Sequence, residues 1–166
     1  SLPKEEEPQI PQDYHVVRTE PELDALLASL REAGSFALDT ETTGLNPSQG
    51  DEIIQIGATR ILNGKLLQGE GFEQLVDPQR SLPPESSKIH GITPEMLVGQ
   101  PVITKVLPAL HDFAADTVLV AHNAAFDMRF LQLKEEATGI KFDQPVLDTL
   151  VWLRHESDVW FEITTL

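Results

Sequence analysis

The dipeptide Asn63-Gly64 constrains this chain more than any other local feature. It separates two β-patterned stretches, Asp51–Leu62 and Lys65–Val76, and in that setting Asn-Gly favours a type I′ turn whose twist matches the flanking strands. In the first stretch Ile54, Ile56 and Ala58 recur every second residue, the period of a strand with one buried face. Ser35–Thr42 (SFALDTET) places Phe36 and Leu38 on one face and reads as a strand ahead of that hairpin. Thr117–Ala121 (TVLVA) is apolar throughout, which suits a strand covered on both faces.

Helical periodicity surrounds these strands. Leu23, Leu26, Leu27 and Leu30 fall at i, i+3, i+4 and i+7, with Thr19 and Glu22 at capping-box spacing and Gly34 as a stop. Val106, Leu107, Leu110 and Phe113 predict a helix that Pro108 should delay or kink. Thr93-Pro94 reads as an N-cap followed by proline at the first helical position. Asn123 is expected to cap a helix over 124–137, with Phe126, Phe130 and Leu131 or Leu133 inward and Gly139 ending it. Val146–Leu153 reads as a final strand and Tyr14–Val17 as a short edge strand. Residues 1–13, with three prolines and an acidic run, read as a leader or linker, leaving 14–166 as the folded domain. A meander followed by alternating strands and helices implies an α/β fold with a mixed sheet.

Composition narrows the function. Zero cysteines exclude disulfides, thiolate metal sites and cysteine nucleophiles, and suit a reducing cytoplasm. No apolar run approaches the ~18–20 residues of a membrane span, and Ser1-Leu-Pro-Lys-Glu-Glu-Glu lacks a signal-peptide pattern, so no membrane partner is expected. Twelve Lys and Arg against 27 Asp and Glu give a formal charge of −15, the opposite of the footprint for tight non-specific duplex binding. Acidity of this kind can simply keep a protein soluble. A nucleic-acid partner would need something other than basic side chains to manage its phosphates, and divalent cations are the candidate.

Asp39 and Glu41 lie two apart on a strand and therefore share a face, with Thr40 opposite. Such a pair is commonly a solvated strand face. Here it follows core-like Phe36, Ala37 and Leu38, at the C-terminal end of a buried strand, where open α/β sheets place ligands. Thr42, Thr43 and Gly44 follow, offering hydroxyls and approachable amides. Asp127 lies on the first turn of a helix leaving another buried strand, where an aspartate can also serve only the helix dipole. If the two strands are neighbours, Asp39, Glu41 and Asp127 converge as hard oxygen donors suited to Mg²⁺ or Mn²⁺.

Three segments, Ala37–Asn46 (ALDTETTGLN), His90–Thr93 (HGIT) and His122–Leu131 (HNAAFDMRFL), resemble the DEDDh family of 3′–5′ exonucleases. The likeness is closest to the proofreading epsilon subunit of bacterial DNA polymerase III and covers about residues 35–150. The resemblance implies a ribonuclease-H-like fold, with a five-stranded mixed sheet flanked by helices. It also implies two Mg²⁺ or Mn²⁺ ions and release of nucleoside monophosphates from a single-stranded DNA 3′ end. Asp39, Glu41 and Asp127 match three of the family's four metal-binding carboxylates. Thr42, Thr43, Gly44 and Leu45 match the segment gripping the terminal nucleotide, Leu45 standing where relatives wedge an apolar side chain between bases. Asn123 and Phe126 match cleft-lining positions, with His90 beside them, although a histidine at a turn often serves only the backbone. Asp148 matches a position near the final strand and reads as structural.

The family's last motif, a general-base histidine followed five residues later by the fourth carboxylate, has no counterpart after Leu150. Only 16 residues follow, and His155 and Asp158 are three apart. Two readings stay open: a C-terminally incomplete piece of a larger exonuclease, or a short form that hydrolyses poorly. Val151, Trp152, Trp160 and Phe161, without an obvious core, suit the first. A polymerase or further domains of a longer chain are the expected partners. RNA trimming and non-catalytic binding of a polymerase or of 3′ ends are the alternatives.

Overall fold

Antiparallel and parallel pairing meet on one strand, and that junction positions the site. The structure is a computed structural model and describes residues 19–150. The expected leader, the Tyr14–Val17 strand, the aromatics beyond Leu150 and the pair His155 and Asp158 lie outside the described residues.

Thr19 starts the first helix, α1 (Glu20–Ala33), with both halves of the capping box formed. Side chains of Leu23 and Leu26 are outside the described set. Strand β1 (Ser35–Thr42) follows, then a 3-10 turn at Pro47–Gln49, β2 (Ile53–Leu62) and β3 (Lys65–Leu75). Asn63 and Gly64 both take positive φ, 51° and 72°, as a type I′ turn requires. Next come α2 (Pro84–His90), α3 (Pro94–Leu97), α4 (Ile103–Ala114), β4 (Val118–Ala121), α5 (Ala124–Gln132), α6 (Glu135–Thr138) and β5 (Val146–Asp148). The sheet has five strands in the order β3-β2-β1-β4-β5. β1 pairs antiparallel with β2, which pairs antiparallel with β3, while β1–β4 and β4–β5 are parallel. Among the described residues no helix is long and apolar enough to cross a membrane.

One sheet face carries Phe36, Leu38, Ile56 and Ala58 into a core shared with Val106, Leu107 and Leu110 of α4 and Phe130 and Leu131 of α5. Phe36 meets Phe113 edge to face at 5.8 Å, and the Arg60 guanidinium lies 4.8 Å over the same ring.

Several boundaries differ from the sequence expectation. Helix α4 begins at Ile103, ahead of Pro108, which sits within it; its apolar face (Val106, Leu107, Leu110 and Ala114 buried) outweighs the bond that proline forfeits. The helix expected over 124–137 is two, α5 and α6. The break leaves Leu133 44% exposed and lets Lys134 pair with Glu52 at 2.5 Å. The strand expected over Val146–Leu153 stops at Asp148, because the Asp148 carboxylate accepts the Leu150 N–H (2.9 Å) and Thr149 is already helical. Thr93 and Pro94 take their expected places in α3, without a side-chain cap bond.

Candidate functional site

Strand β1 outruns its parallel neighbour. Pairing with β4 covers Ser35–Ala37 against Val118–Val120, whereas pairing with β2 continues through Glu41 opposite Gln55. Residues Asp39–Glu41 therefore project past the end of β4, beside the turn that leads into α5. This notch at the C-terminal ends of parallel strands is where α/β sheets bind ligands.

The two faces of β1 separate the side chains there. Phe36, Leu38, Thr40 and Thr42 are buried on the helix-covered face, while Asp39 is exposed and Glu41 half-buried on the other. Asp39 and Glu41 line a cavity of about 640 Å³ with Ala37, Gly57, Gly71 and Glu73. Asp127, on the first turn of α5, is 3% exposed and lies on the covered side, where its Oδ1 accepts a hydrogen bond from Thr40 Oγ1 at 2.6 Å. Burial pushes the Asp127 carboxyl up to about 6; the Thr40 hydroxyl opposes the rise, and the charge of Asp39 adds to it.

Asp39 and Asp127 are near enough for their charges to interact, while the Asp127 carboxylate is tied to Thr40. Among the described residues no three His, Asp or Glu side chains stand together as a metal cluster. Asp127 comes to β1 from the Thr40 side, opposite the face that carries Asp39 and Glu41. The donor chemistry still suits a hard cation, because a buried carboxylate beside a second negative charge gains from one.

The loop after β1 is built differently. Thr43 is 1% exposed, and its hydroxyl both accepts the Glu52 N–H (3.0 Å) and donates to Asp51 Oδ1 (3.2 Å). Thr42 Oγ1 donates to Gly44 O at 2.6 Å. Both hydroxyls, expected to face a ligand, are engaged within the protein. Ser86 of α2 donates to Thr43 O at 2.7 Å, and Arg129 of α5 donates to Ser48 Oγ at 2.7 Å. Leu45 projects from this framework 85% exposed.

The remaining expected residues divide. Phe126 is half-buried with its ring 5.1 Å from Phe130. Asn123 stands at the N-cap position of α5 but in left-handed conformation (φ 61°) with no side-chain cap bond, a correction to its expected capping role. Its N–H instead donates to Asp148 Oδ1 at 3.1 Å, which makes Asp148 a structural bridge. His90 ends α2 and accepts the Ile92 N–H on Nδ1 (3.0 Å), while its Nε2 is buried without a partner. His122 contacts Thr149 Oγ1 at 3.1 Å, and the His111 ring packs on Phe142. Two residues of the site carry little local signal in the sequence. Thr40 faces away from the carboxylate pair by strand alternation, and Asp51 opens the strand-patterned stretch Asp51–Leu62, although an Asp ahead of an apolar strand is also a turn signal.

Residues 36–157 fit the family model described as Exonuclease, RNase_T. A DNA polymerase III subunit epsilon-like protein of Rhodobacter capsulatus is 53% identical over 113 residues, spanning 68% of this chain and 16% of that protein. The DNA polymerase III subunit epsilon of Rickettsia prowazekii is 42% identical over 134 residues, 78% of this chain and 57% of its own length. The chain therefore spans only part of these curated relatives. Among solved structures, exonuclease X in complex with 5′ overhanging duplex DNA superimposes with a TM-score of 0.59 at 30% identity, over 74% of this chain and 64% of that one.

Proposed function

The chain belongs to the RNase_T exonuclease family, and from that premise we propose that residues 14–166 are a 3′–5′ exonuclease domain within a longer protein, residues 1–13 being its linker. Its substrate is a single-stranded DNA 3′ end, its product nucleoside monophosphates, its partner a DNA polymerase, and its compartment the cytoplasm. The observation that carries this reading is Asp127, a buried carboxylate whose neighbouring charge is the equally negative Asp39. That is a poor arrangement for a structural aspartate and a useful one for a cation site.

Asp39, Glu41 and Asp127 would hold two Mg²⁺ or Mn²⁺ ions. When bound, such ions orient and acidify the attacking water and take up charge on the leaving oxygen. Thr40 orients the Asp127 carboxylate. The backbone amides of Gly44 and Leu45 grip the terminal nucleotide, and the exposed Leu45 side chain enters between its last bases. Asn123 and Phe126 line the α5 side, and His90 supports the turn that brings α2 against this loop. Amides, an apolar wedge and cations need little basic charge, in keeping with the formal −15.

None of the described histidines, His90, His111 and His122, lines the cavity that holds Asp39 and Glu41. With no described histidine placed to deprotonate a water there, this chain by itself should cleave ~10²–10⁴-fold more slowly than a family member with a positioned base. The same observation favours a second reading, a binding module that holds 3′ ends without cutting. Digestion of 5′-labelled single-stranded DNA in Mn²⁺ tests both. The expected result is weak laddering lost in Asp39→Ala and Glu41→Ala. Robust laddering lost in both variants would show that a base is present. Stabilisation by Mn²⁺ with no nucleotide release would favour the binding module, and laddering unchanged in both variants would remove the proposed site.

A further inference from the structure

The loop proposed to grip the nucleotide has a brace outside the matched motif. Asp51 divides its carboxylate between two points of that loop: Oδ1 accepts the Thr43 hydroxyl at 3.2 Å and Oδ2 accepts the Asn46 N–H at 3.0 Å. The Asp51 N–H returns a bond to Asn46 O at 3.3 Å, and beside it Glu52 O accepts the Thr43 N–H at 2.8 Å while the Glu52 N–H donates to the Thr43 hydroxyl. Thr43 and Asn46 are the two ends of the segment that presents Gly44 and Leu45. The carboxylate spans the segment like a strut.

Gly44 shows how tight the span is. A Cβ there would lie 2.3 Å from Asp51 Oδ2 and 2.6 Å from its Cγ. No left-handed backbone is involved at this position. The glycine is required by the carboxylate seated against it, which cannot give way without leaving the Thr43 hydroxyl or the Asn46 amide. Arg80 closes the outer side, bonding Gly50 O and lying 3.4 Å from Asp51 Oδ1.

We propose that Asp51 is a positioning residue that presents the Gly44 amide and the Leu45 side chain to the terminal nucleotide of a 3′ end. The inference rests on the proposed role of residues 42–45, and it adds a residue that acts through the loop without touching substrate. Because Asp51 bonds Thr43, Asn46 and Arg80 and does not line the cavity that Asp39 and Glu41 line, it governs nucleotide affinity and leaves cation affinity alone.

The experiment uses the full chain in Mn²⁺ with an oligonucleotide whose last linkage is a hydrolysis-resistant phosphorothioate. In Asp51→Ala, the Kd for this oligonucleotide should rise about tenfold or more, while the Mn²⁺-induced rise in Tm stays at the wild-type value. Amides of Thr43 and Asn46 should exchange faster. Asp51→Asn, which keeps an acceptor for the Asn46 N–H, should recover most of the affinity. Gly44→Ala should weaken binding as much as Asp51→Ala, yet add little when Asp51 is already alanine. The proposal is overturned if Asp51→Ala binds within about twofold of wild type with both amides still protected, or if Gly44→Ala and Asp51→Ala are additive. A wild-type chain that binds no 3′ end would instead overturn the reading of the loop as a nucleotide grip, and amide exchange would still judge the strut by itself.

Discussion

Two regions a few residues apart on the same strand are built to opposite standards. Between Thr42 and Glu52 the hydroxyls of Thr42 and Thr43 and both carboxylate oxygens of Asp51 have partners, and α2 and α5 each add a tie. One step back, Asp39 is exposed to solvent, and Asp127 is buried beside it with a hydroxyl where a counter-charge would be expected. The loop is finished by protein alone. The Asp127 carboxylate is left electrostatically strained, and strain of that sign is relieved by a cation or a proton. Under the proposed function, the contrast separates a rigid grip for the organic part of a substrate from a site that cations would complete.

The strain has a sign that can be measured, and it sets the largest effect. The Asp127 carboxyl is held at about 6 in the folded chain against 3.8 when unfolded. Between those values the native state binds more protons than the unfolded one, so this group's contribution to stability is full below 3.8 and is lost as pH rises through 6. The amount is on the order of 2–3 kcal/mol. Urea unfolding of cation-free protein from pH 4 to pH 8 should show that decline, and Asp127→Asn should remove it. Adding Mn²⁺ at pH 7.5 should restore stability in the wild type and not in the variant. An identical pH slope in both proteins would place the strain elsewhere and dissolve the contrast.

Thr40 should give the next effect. Its hydroxyl is the donor that offsets burial of Asp127. Thr40→Val keeps the strand shape and removes the donor, and should cost about 1.5 kcal/mol, since bonds to charged groups exceed neutral ones. The cost should be larger at pH 8, where Asp127 is ionised, than at pH 5. Equal losses at both pH values would mean that Thr40 only packs.

These residues also show what the sequence could and could not reveal. The β1, β2 and β3 meander was legible because Asn63-Gly64 and the alternation of Ile54, Ile56 and Ala58 are local signals. The parallel strand β4 was legible from its unbroken apolar run. Less visible were features decided by distant partners. Asp148 ends β5 by accepting the N–H groups of Asn123 and Leu150, and α5 breaks at Leu133 with Lys134 turned toward Glu52. Neither partner is near in sequence apart from Leu150. At the site, the carboxylates stood out because Asp39 and Glu41 interrupt a core strand. The relation among them did not. Period-two alternation puts Thr40 on the far face, and only the packing of α5 shows that Asp127 comes to that face as well.

The smallest effect probes the loop from outside. Arg80 bonds Gly50 O and lies 3.4 Å from Asp51, but its side chain is 39% exposed. An ion pair in that setting is screened by water and held at an entropic cost. If the loop's order comes from Thr43, Asn46 and Ser86 on its inner side, Arg80→Ala should change unfolding stability by less than about 0.5 kcal/mol and fade further at high salt. Urea unfolding at low and high ionic strength measures both. Should Arg80→Ala cost more than Thr40→Val, the loop would depend on an exposed charge as the carboxylates are proposed to depend on a cation. The two regions would then differ in degree rather than in kind.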